Sequence, residues 1–336
     1  MPKTSPLAAA RRAVAPTAAP DTAPLRIGIS ACLLGSAVRW DGGHKRDPFL
    51  VETLGPFVEW VPVCPEVELG MGVPRETVRL QAGDDGPRML GTRSGADHTR
   101  AMKAFATRRV AALEALDLSG YVLKKDSPSC GMERVRVYRA AGPATRDGRG
   151  LFAATLLAHC PRLPVEEEGR LHDPRLRENF VERVFAYRRL RALLAHRVET
   201  GALVRFHTAH KLTLLAHDPE AYRALGRLVA GAKGMPRAEL RRRYEDGFMA
   251  ALRTLATTRK HTNVLQHVIG HLRHGLEADA RTELVALVED YRRGLVPLVA
   301  PLVLIRHHVR RIGVPYLEEQ TYLAPHPKEL MLRNHV

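Results

Sequence analysis

The sequence predicts an α/β N-terminal domain with an open, largely parallel sheet, followed by an all-α C-terminal domain. Three observations carry this reading. Short apolar runs with β-branched residues recur between residues 25 and 165 and stop at turn residues, as strands buried on both faces do. From about residue 170 the apolar period lengthens to about 3.6 and stays there. The chain has 336 residues, 45% of them apolar, enough for two cores rather than one.

In chain order, residues 1–24 are mostly Ala, Pro and Thr, with too few large apolar side chains to fold alone, and read as a disordered arm. Leu25 to Ser30 (LRIGIS) reads as the first strand and leads to Cys32. Phe57 to Val63 (FVEWVPV) reads as the second and ends at Cys64. Tyr121 to Leu123 reads as the third, followed by Lys124-Lys125-Asp126-Ser127-Pro128-Ser129 and Cys130. Gly95 to Leu116 sets Ala and Leu against Arg100, Lys103, Arg108 and Arg109, the pattern of an amphipathic helix between strands. Ligands of open α/β sheets gather beyond the carboxyl ends of strands, so three cysteines at three strand ends are expected to converge.

Composition narrows the classes of function. The 52 Lys+Arg exceed the 36 Asp+Glu to give +16, an excess shared by both halves of the chain that points to an anionic partner or to solvated helix faces. No run approaches the roughly 20 apolar residues that a membrane span needs, so a soluble protein is expected. Four cysteines, at 32, 64, 130 and 160, without a secretory apolar region before them, do not resemble a disulfide framework and imply a reducing, cytoplasmic setting.

Spacing alone leaves several chemistries open for three converging thiols. No pair lies two to four residues apart, as zinc ribbons require. A thiol nucleophile would need a nearby His, for which His44 is the candidate. Soft thiolates also suit an iron–sulfur cluster, and unrelated buried thiols are the bland alternative.

Four segments then carry a resemblance. Ser30-Ala31-Cys32-Leu33-Leu34-Gly35, Val38-Arg39-Trp40-Asp41-Gly42-Gly43, Val61-Pro62-Val63-Cys64-Pro65-Glu66 with Val73-Pro74-Arg75, and Lys124 to Gly131 occur in order and resemble the thiouracil desulfidase family. The resemblance implies a four-iron four-sulfur cluster on Cys32, Cys64 and Cys130 with the fourth iron open. Such an iron would be a soft Lewis acid for a thiocarbonyl sulfur, so that water could attack the carbon and sulfide leave without net redox change. It also points to Glu66 as proton acceptor and Ser127 as a polar orienting group. Glu68 competes with Glu66, because in an extended segment both face the same side. Arg39, Asp41 and Lys45 read as solvated charges around a Gly-Gly turn, and Cys160 matches no cluster motif.

Pro161 to Glu168 reads as a junction, with domains at 25–165 and 166–336. Helices are expected at Asn179 to Arg197, Thr208 to His217, Arg237 to Arg259, Thr262 to Leu276, Arg281 to Gly294 and Pro297 to Ile312. This half resembles the helical domain often fused to these desulfidases, in Phe206 to Lys211, Asn263 to Gly270 and Tyr316 to Pro327; His271-Leu272-Arg273-His274 departs from it, where an aromatic pair and a Lys are expected. His267 and His271 share a helical face, but no carboxylate completes a metal pattern. Arg241, Arg242, Arg243, Arg259, Lys260, Arg273, Arg292, Arg293, Arg306, Arg310 and Arg311 suit phosphate neutralisation.

Because fused desulfidases of this kind resemble enzymes acting on tRNA, the sequence reading is a tRNA 4-thiouridine desulfidase, with the helical domain holding RNA. A desulfidase of free 2- or 4-thiouracil and a non-catalytic nucleic-acid-binding protein are the alternatives.

Overall fold

The computed structural model describes residues 25–195 and 199–336, so the arm expected over residues 1–24 lies outside the described residues. The predicted parallel sheet is present. It consists of β1 (Arg26–Ser30), β2 (Glu59–Val63), β5 (Gly120–Leu123) and β8 (Val165–Glu167), in the order β2-β1-β5-β8 and parallel throughout. Successive strands step first to one side of β1 and then to the other, so the switch point lies between β1 and β5. Side chains leave these strands on both faces. Tyr121 and Leu123 pack with Met102, Phe105 and Phe152, whereas Ile27, Ile29 and Val122 pack with Phe180, Val181 and Val184. Gly28 gives the close approach this needs, because a Cβ there would run into the ring of Tyr121.

A second, mixed sheet was not expected from the sequence. Its strands β3 (Val78–Gln81), β4 (Arg88–Gly91), β6 (Val135–Tyr138) and β7 (Thr145–Gly148) run in the order β4-β3-β6-β7, with only β3 and β6 parallel. Each has four residues, too few to set an apolar period apart from loop, and Arg79, Arg88 and Arg136 alternate with the buried Leu80, Met89, Val135 and Val137. Three helices complete this half: α1 (Pro65–Glu68), α2 (Thr99–Glu114) and α3 (Leu151–His159).

The junction expected at Pro161 to Glu168 holds β8, the edge strand of the parallel sheet. Beyond it α4 (Pro174–Leu194), capped by Asp173 accepting from the backbone N–H of Arg175 and Leu176, covers the sheet face opposite α2 and α3. The first long helix of the helical half is thus a layer of the α/β sandwich. The remaining helices are α5 (Thr200–Ala209), α6 (Lys211–His217), α7 (Pro219–Ala230), α8 (Arg237–Arg253), α9 (Thr258–Leu272), α10 (Ala278–Arg292), α11 (Val299–Ile312) and α12 (Pro315–Glu318).

Several expected boundaries shift for local reasons. The helix expected at Thr208 to His217 is divided at His210, whose backbone (φ −103°, ψ 5°) leaves the helical region. The helix expected to reach Arg259 ends at Arg253, where Thr254 turns extended, and Thr257 then caps α9 by accepting from the N–H of Lys260. The unexpected α7 starts at Pro219 under an Asp218 cap. The chain end returns to the first half, where Leu330 and Leu332 join Ile27 and Ile29 in one core. No helix among the described residues is long and apolar enough to cross a membrane.

Candidate active site

The three strand-end cysteines converge. Cys32, Cys64 and Cys130 line one cavity of about 350 Å³ at the carboxyl edge of the parallel sheet, with Glu66 and Ser127 on the same wall. Each is placed by a local feature of the chain. Cys32 lies in the turn that follows β1 and ends at Gly35, whose φ of 98° glycine adopts without strain. Cys64 ends β2 and is the N-cap of α1, with Pro65 at the first helical position. Cys130 lies beyond β5 in a loop folded on Ser127, whose Oγ accepts from the N–H of Ser129 at 3.3 Å and of Cys130 at 3.1 Å. Ser30 ties the loops across the switch point by accepting from the N–H of Lys124 at 3.0 Å, and its side chain also hydrogen-bonds Cys130.

Burial dominates the electrostatics of the thiols. It pushes Cys32 up to about 11 and raises Cys64 and Cys130, so a cation binding here displaces thiol protons. Among the described residues no three His, Cys, Asp or Glu side chains are grouped for a single metal ion. The thiols stand around the cavity rather than at one point, and soft donors so spread fit an iron–sulfur cluster better than a mononuclear ion.

Glu66 and Glu68 are separated by helix geometry. Residues 65–68 are α1 rather than extended, so positions two apart point to different sides. Glu68 accepts from the N–H of Cys64 at 3.1 Å and pairs with Arg109 on α2 at 2.8 Å, outside the cavity wall. Glu66 lines the cavity, where Arg75 Nε and Nη2 reach its Oε2 at 3.0 and 2.5 Å and Ser129 Oγ donates to its Oε1 at 2.5 Å. Ser129 and Ser127 hydroxyls are 3.1 Å apart, which completes a polar chain from Glu66 to Ser127. Arg75 Nη1 also donates to the carbonyl of Val38 at 3.1 Å, the same oxygen that faces Cys64 Sγ at 3.7 Å. Sequence reading passed over Arg75 and Ser129 as functional residues. Both stand inside the motif segments, but their contacts with Glu66 span 9 and 63 residues and leave no periodic signal.

The other sequence candidates lie elsewhere or play smaller parts. Arg39 and Lys45 line the cavity, while Asp41 accepts from the N–H of Gly43 at 3.0 Å in the Gly-Gly turn. His44 accepts from the N–H of Arg46 through Nδ1 and does not line the cavity with the thiols. Cys160 sits in a separate cleft beside Tyr187 and Arg191, its thiol pushed up to about 11 by burial. His267 and His271 face each other at 3.3 Å between their Nε2 atoms on the exposed side of α9. Of the basic residues singled out, Arg292 and Arg293 pair with Glu289, Arg243 with Glu239 and Arg242 with Asp246, while Lys260 donates to the carbonyl of His217.

Thiols, a pinned carboxylate and a hydroxyl chain at the switch point of a parallel sheet form the kind of crevice in which α/β enzymes bind ligands. The chain belongs to the 2-thiouracil desulfurase family, whose profile matches residues 27–168, and it carries a further region described as a protein of unknown function (DUF1722) over residues 211–327. The uncharacterized protein YbgA of Escherichia coli (strain K12) is 36% identical over 153 residues, 45% of this chain and 90% of YbgA. The uncharacterized protein YbbK of Bacillus subtilis (strain 168) is 31% identical over 108 residues, 31% of this chain and 71% of YbbK. Among solved structures, the 4Fe-4S-dependent thiouracil desulfidase TudS is 32% identical, with a TM-score of 0.38, over 44% of this chain and 93% of that one.

Proposed function

We propose that the protein removes sulfur from 4-thiouridine in tRNA, with a four-iron four-sulfur cluster held by Cys32, Cys64 and Cys130. The observation that carries this is the meeting of those three thiols with Glu66 and Ser127 on one cavity. The family description supplies thiouracil as the substrate class, and a sequence relative is named for its 4Fe-4S dependence. When bound, a cluster with one iron free of protein ligands supplies a soft Lewis acid for a thiocarbonyl sulfur.

The chain's own residues do the rest. Water adds at C4 of the base, the C–S bond breaks and C=O forms, with sulfide released and no change in oxidation state. Glu66 takes the water proton, its carboxylate held in place by Arg75. Ser127, oriented by two backbone N–H groups and by Ser129, hydrogen-bonds the polar edge of the base.

Support for RNA as the carrier comes from charge. The net charge is +16, and Arg241, Arg242, Arg243 and Arg259 are exposed on α8 and α9. A base inside folded RNA must leave its stack to enter the cavity, so a second region that grips the phosphates helps. The test is anaerobic: reconstitute the protein with iron and sulfide, add tRNA containing 4-thiouridine, and quantify thionucleoside and uridine after digestion. Conversion with sulfide release is expected. A loaded protein that leaves tRNA intact but converts free thiouracil would replace this reading by a free-base desulfidase.

A further inference from the structure

Beside the catalytic cavity lies a second and larger depression, an open groove of about 820 Å³ whose walls include Met71, Pro74, Glu76, Arg93 and His98. Arg75 lines both. The two are separated by a ridge made from two loops. Arg75 N–H donates to the carbonyl of Trp40 at 2.9 Å, and Val73 Cγ1 lies 4.0 Å from where a Cβ of Gly42 would stand. On that ridge Trp40 is 44% exposed and Val73 40% exposed. An indole left in water at the lip of the thiol cavity is unexplained by packing, whereas the chain's other tryptophan, Trp60, is half-buried.

Some charges around the ridge are paired, Arg39 with Asp41 at 3.7 Å and Arg75 with Glu66 at 2.5 Å, but three cations are not. Among the described residues Lys45 and Lys125 on the cavity wall and Arg93 in the groove are exposed and have no carboxylate within salt-bridge distance. The groove's one carboxylate, Glu76, is already taken up by the Ser94 hydroxyl and by the N–H groups of Arg93 and Ser94 at 2.9 and 3.0 Å. An exposed aromatic face flanked by free cations is the pattern that binds single-stranded nucleic acid, by stacking and phosphate attraction. We propose that this groove seats the nucleotides flanking the thiolated base, with Trp40 as the platform on which one of their bases stacks and Arg93 beside a phosphate. The proposal rests on the RNA reading above, and it moves part of the RNA footprint onto the α/β domain. A base drawn into the cavity brings its neighbours to the mouth, where Trp40 stands, and over the ridge into the groove that Arg93 lines.

Binding and turnover separate the two readings. The full chain is titrated with a uridine trinucleotide while tryptophan fluorescence is followed; the unthiolated form is used because thiouridine absorbs in the range where tryptophan emits. Quenching is expected, and Trp40→Phe should abolish it while keeping affinity within a few-fold. Trp40→Ala should weaken binding by about 5- to 160-fold, from the roughly 1–3 kcal/mol of one stacked base. Arg93→Glu should weaken it about tenfold or more and flatten the salt dependence. Thermal melting of each variant serves as the control for folding. Quenching that persists in Trp40→Phe, or affinity untouched by both Trp40→Ala and Arg93→Glu, overturns the groove assignment even if thiolated tRNA is converted. Trinucleotide binding that depends on Trp40 and Arg93, in a loaded protein that leaves thiolated tRNA intact, upholds the groove and defeats the tRNA desulfidase reading instead.

Discussion

Arg75 shows how one side chain organises several others. Its guanidinium pairs with Glu66 with only 6% and 13% of the two side chains exposed, and it anchors the Val38 carbonyl that faces Cys64. Arg75→Ala leaves Glu66 without its counter-charge, and about 3 kcal/mol of stability should be lost, measured by denaturant unfolding. Glu66→Gln keeps the shape and removes the base. The loaded variant should hold its iron but lose about 10²- to 10⁴-fold in kcat, as expected for loss of a general base. Among the thiols, Cys32→Ala, Cys64→Ala and Cys130→Ala should each abolish iron loading on anaerobic reconstitution, while Cys160→Ala, in its separate cleft, should load like the parent. Equal iron loss from Cys160→Ala would overturn the three-ligand assignment. Cys32, Cys64 and Cys130 were legible because each follows an apolar run, Cys130 after the short Lys124 to Ser129 loop. Arg75 and Ser129 were not, because their value lies in contacts made after folding.

At the scale of elements, the four residues of α1 decide which carboxylate enters the cavity. A strand would present Glu66 and Glu68 together, but the helical turn sends Glu68 to Arg109. Elements also hold the site through close approach. Gly150 caps α3 directly against the Ser127–Cys130 loop, and a Cβ there would overlap the carbonyl of Ser129 and lie 2.8 Å from the backbone N of Cys130. Gly150→Ala should therefore displace the loop, costing about 1–3 kcal/mol from overpacking and lowering iron content together with melting temperature. A variant that melts lower yet loads fully would show that α3 yields instead of the loop. The long helices were readable from their period. Apart from the fully buried Tyr121 to Leu123, strands of three or four residues were not, since β8 and the second sheet offer too few positions to reveal alternation.

Across the whole molecule, a buried polar cluster joins the chain end to the helices. Arg333 donates to Glu178 at 2.9 Å and to Glu182 at 3.4 Å, and His217 meets Glu182 at 3.1 Å. His210, His261 and His326 around it, and His207 beside Tyr244, are kept neutral by burial: His207 and His326 are lowered to about 4, and His210 and His261 to about 3. In the unfolded chain they take up protons near their ordinary value of 6.5, so the unfolded state binds more protons as the solution is acidified. The stability these four supply should therefore be full above about pH 6.5 and fall as pH drops toward 4. Each histidine contributes about 1.4 kcal/mol to the loss for every pH unit between its folded and unfolded midpoints. His217, raised by its bond to Glu182, contributes stability that is fully present below its ordinary 6.5 and is lost as pH rises beyond it, so it does not offset the loss on the acid side. The raised Glu178 and Glu167 oppose it with two protons against four, while the lowered Glu182 adds to the loss as pH falls below its ordinary 4.5. Denaturant midpoints measured from pH 7.5 to 4.5 would check this, and a flat profile would contradict it.

Read alone, the sequence settled the class of each half, the three strand-end cysteines and the pairing of an α/β domain with a helical one. Those features rest on local patterns: apolar period, chain turns and residues adjacent to strand ends. Which carboxylate faces the thiols, that Arg75 and Ser129 complete the site, and that α4 and the chain end close over the sheet depend on contacts between distant segments. Packing in three dimensions made those choices, because side-chain direction and burial are set only when strands, helices and loops meet.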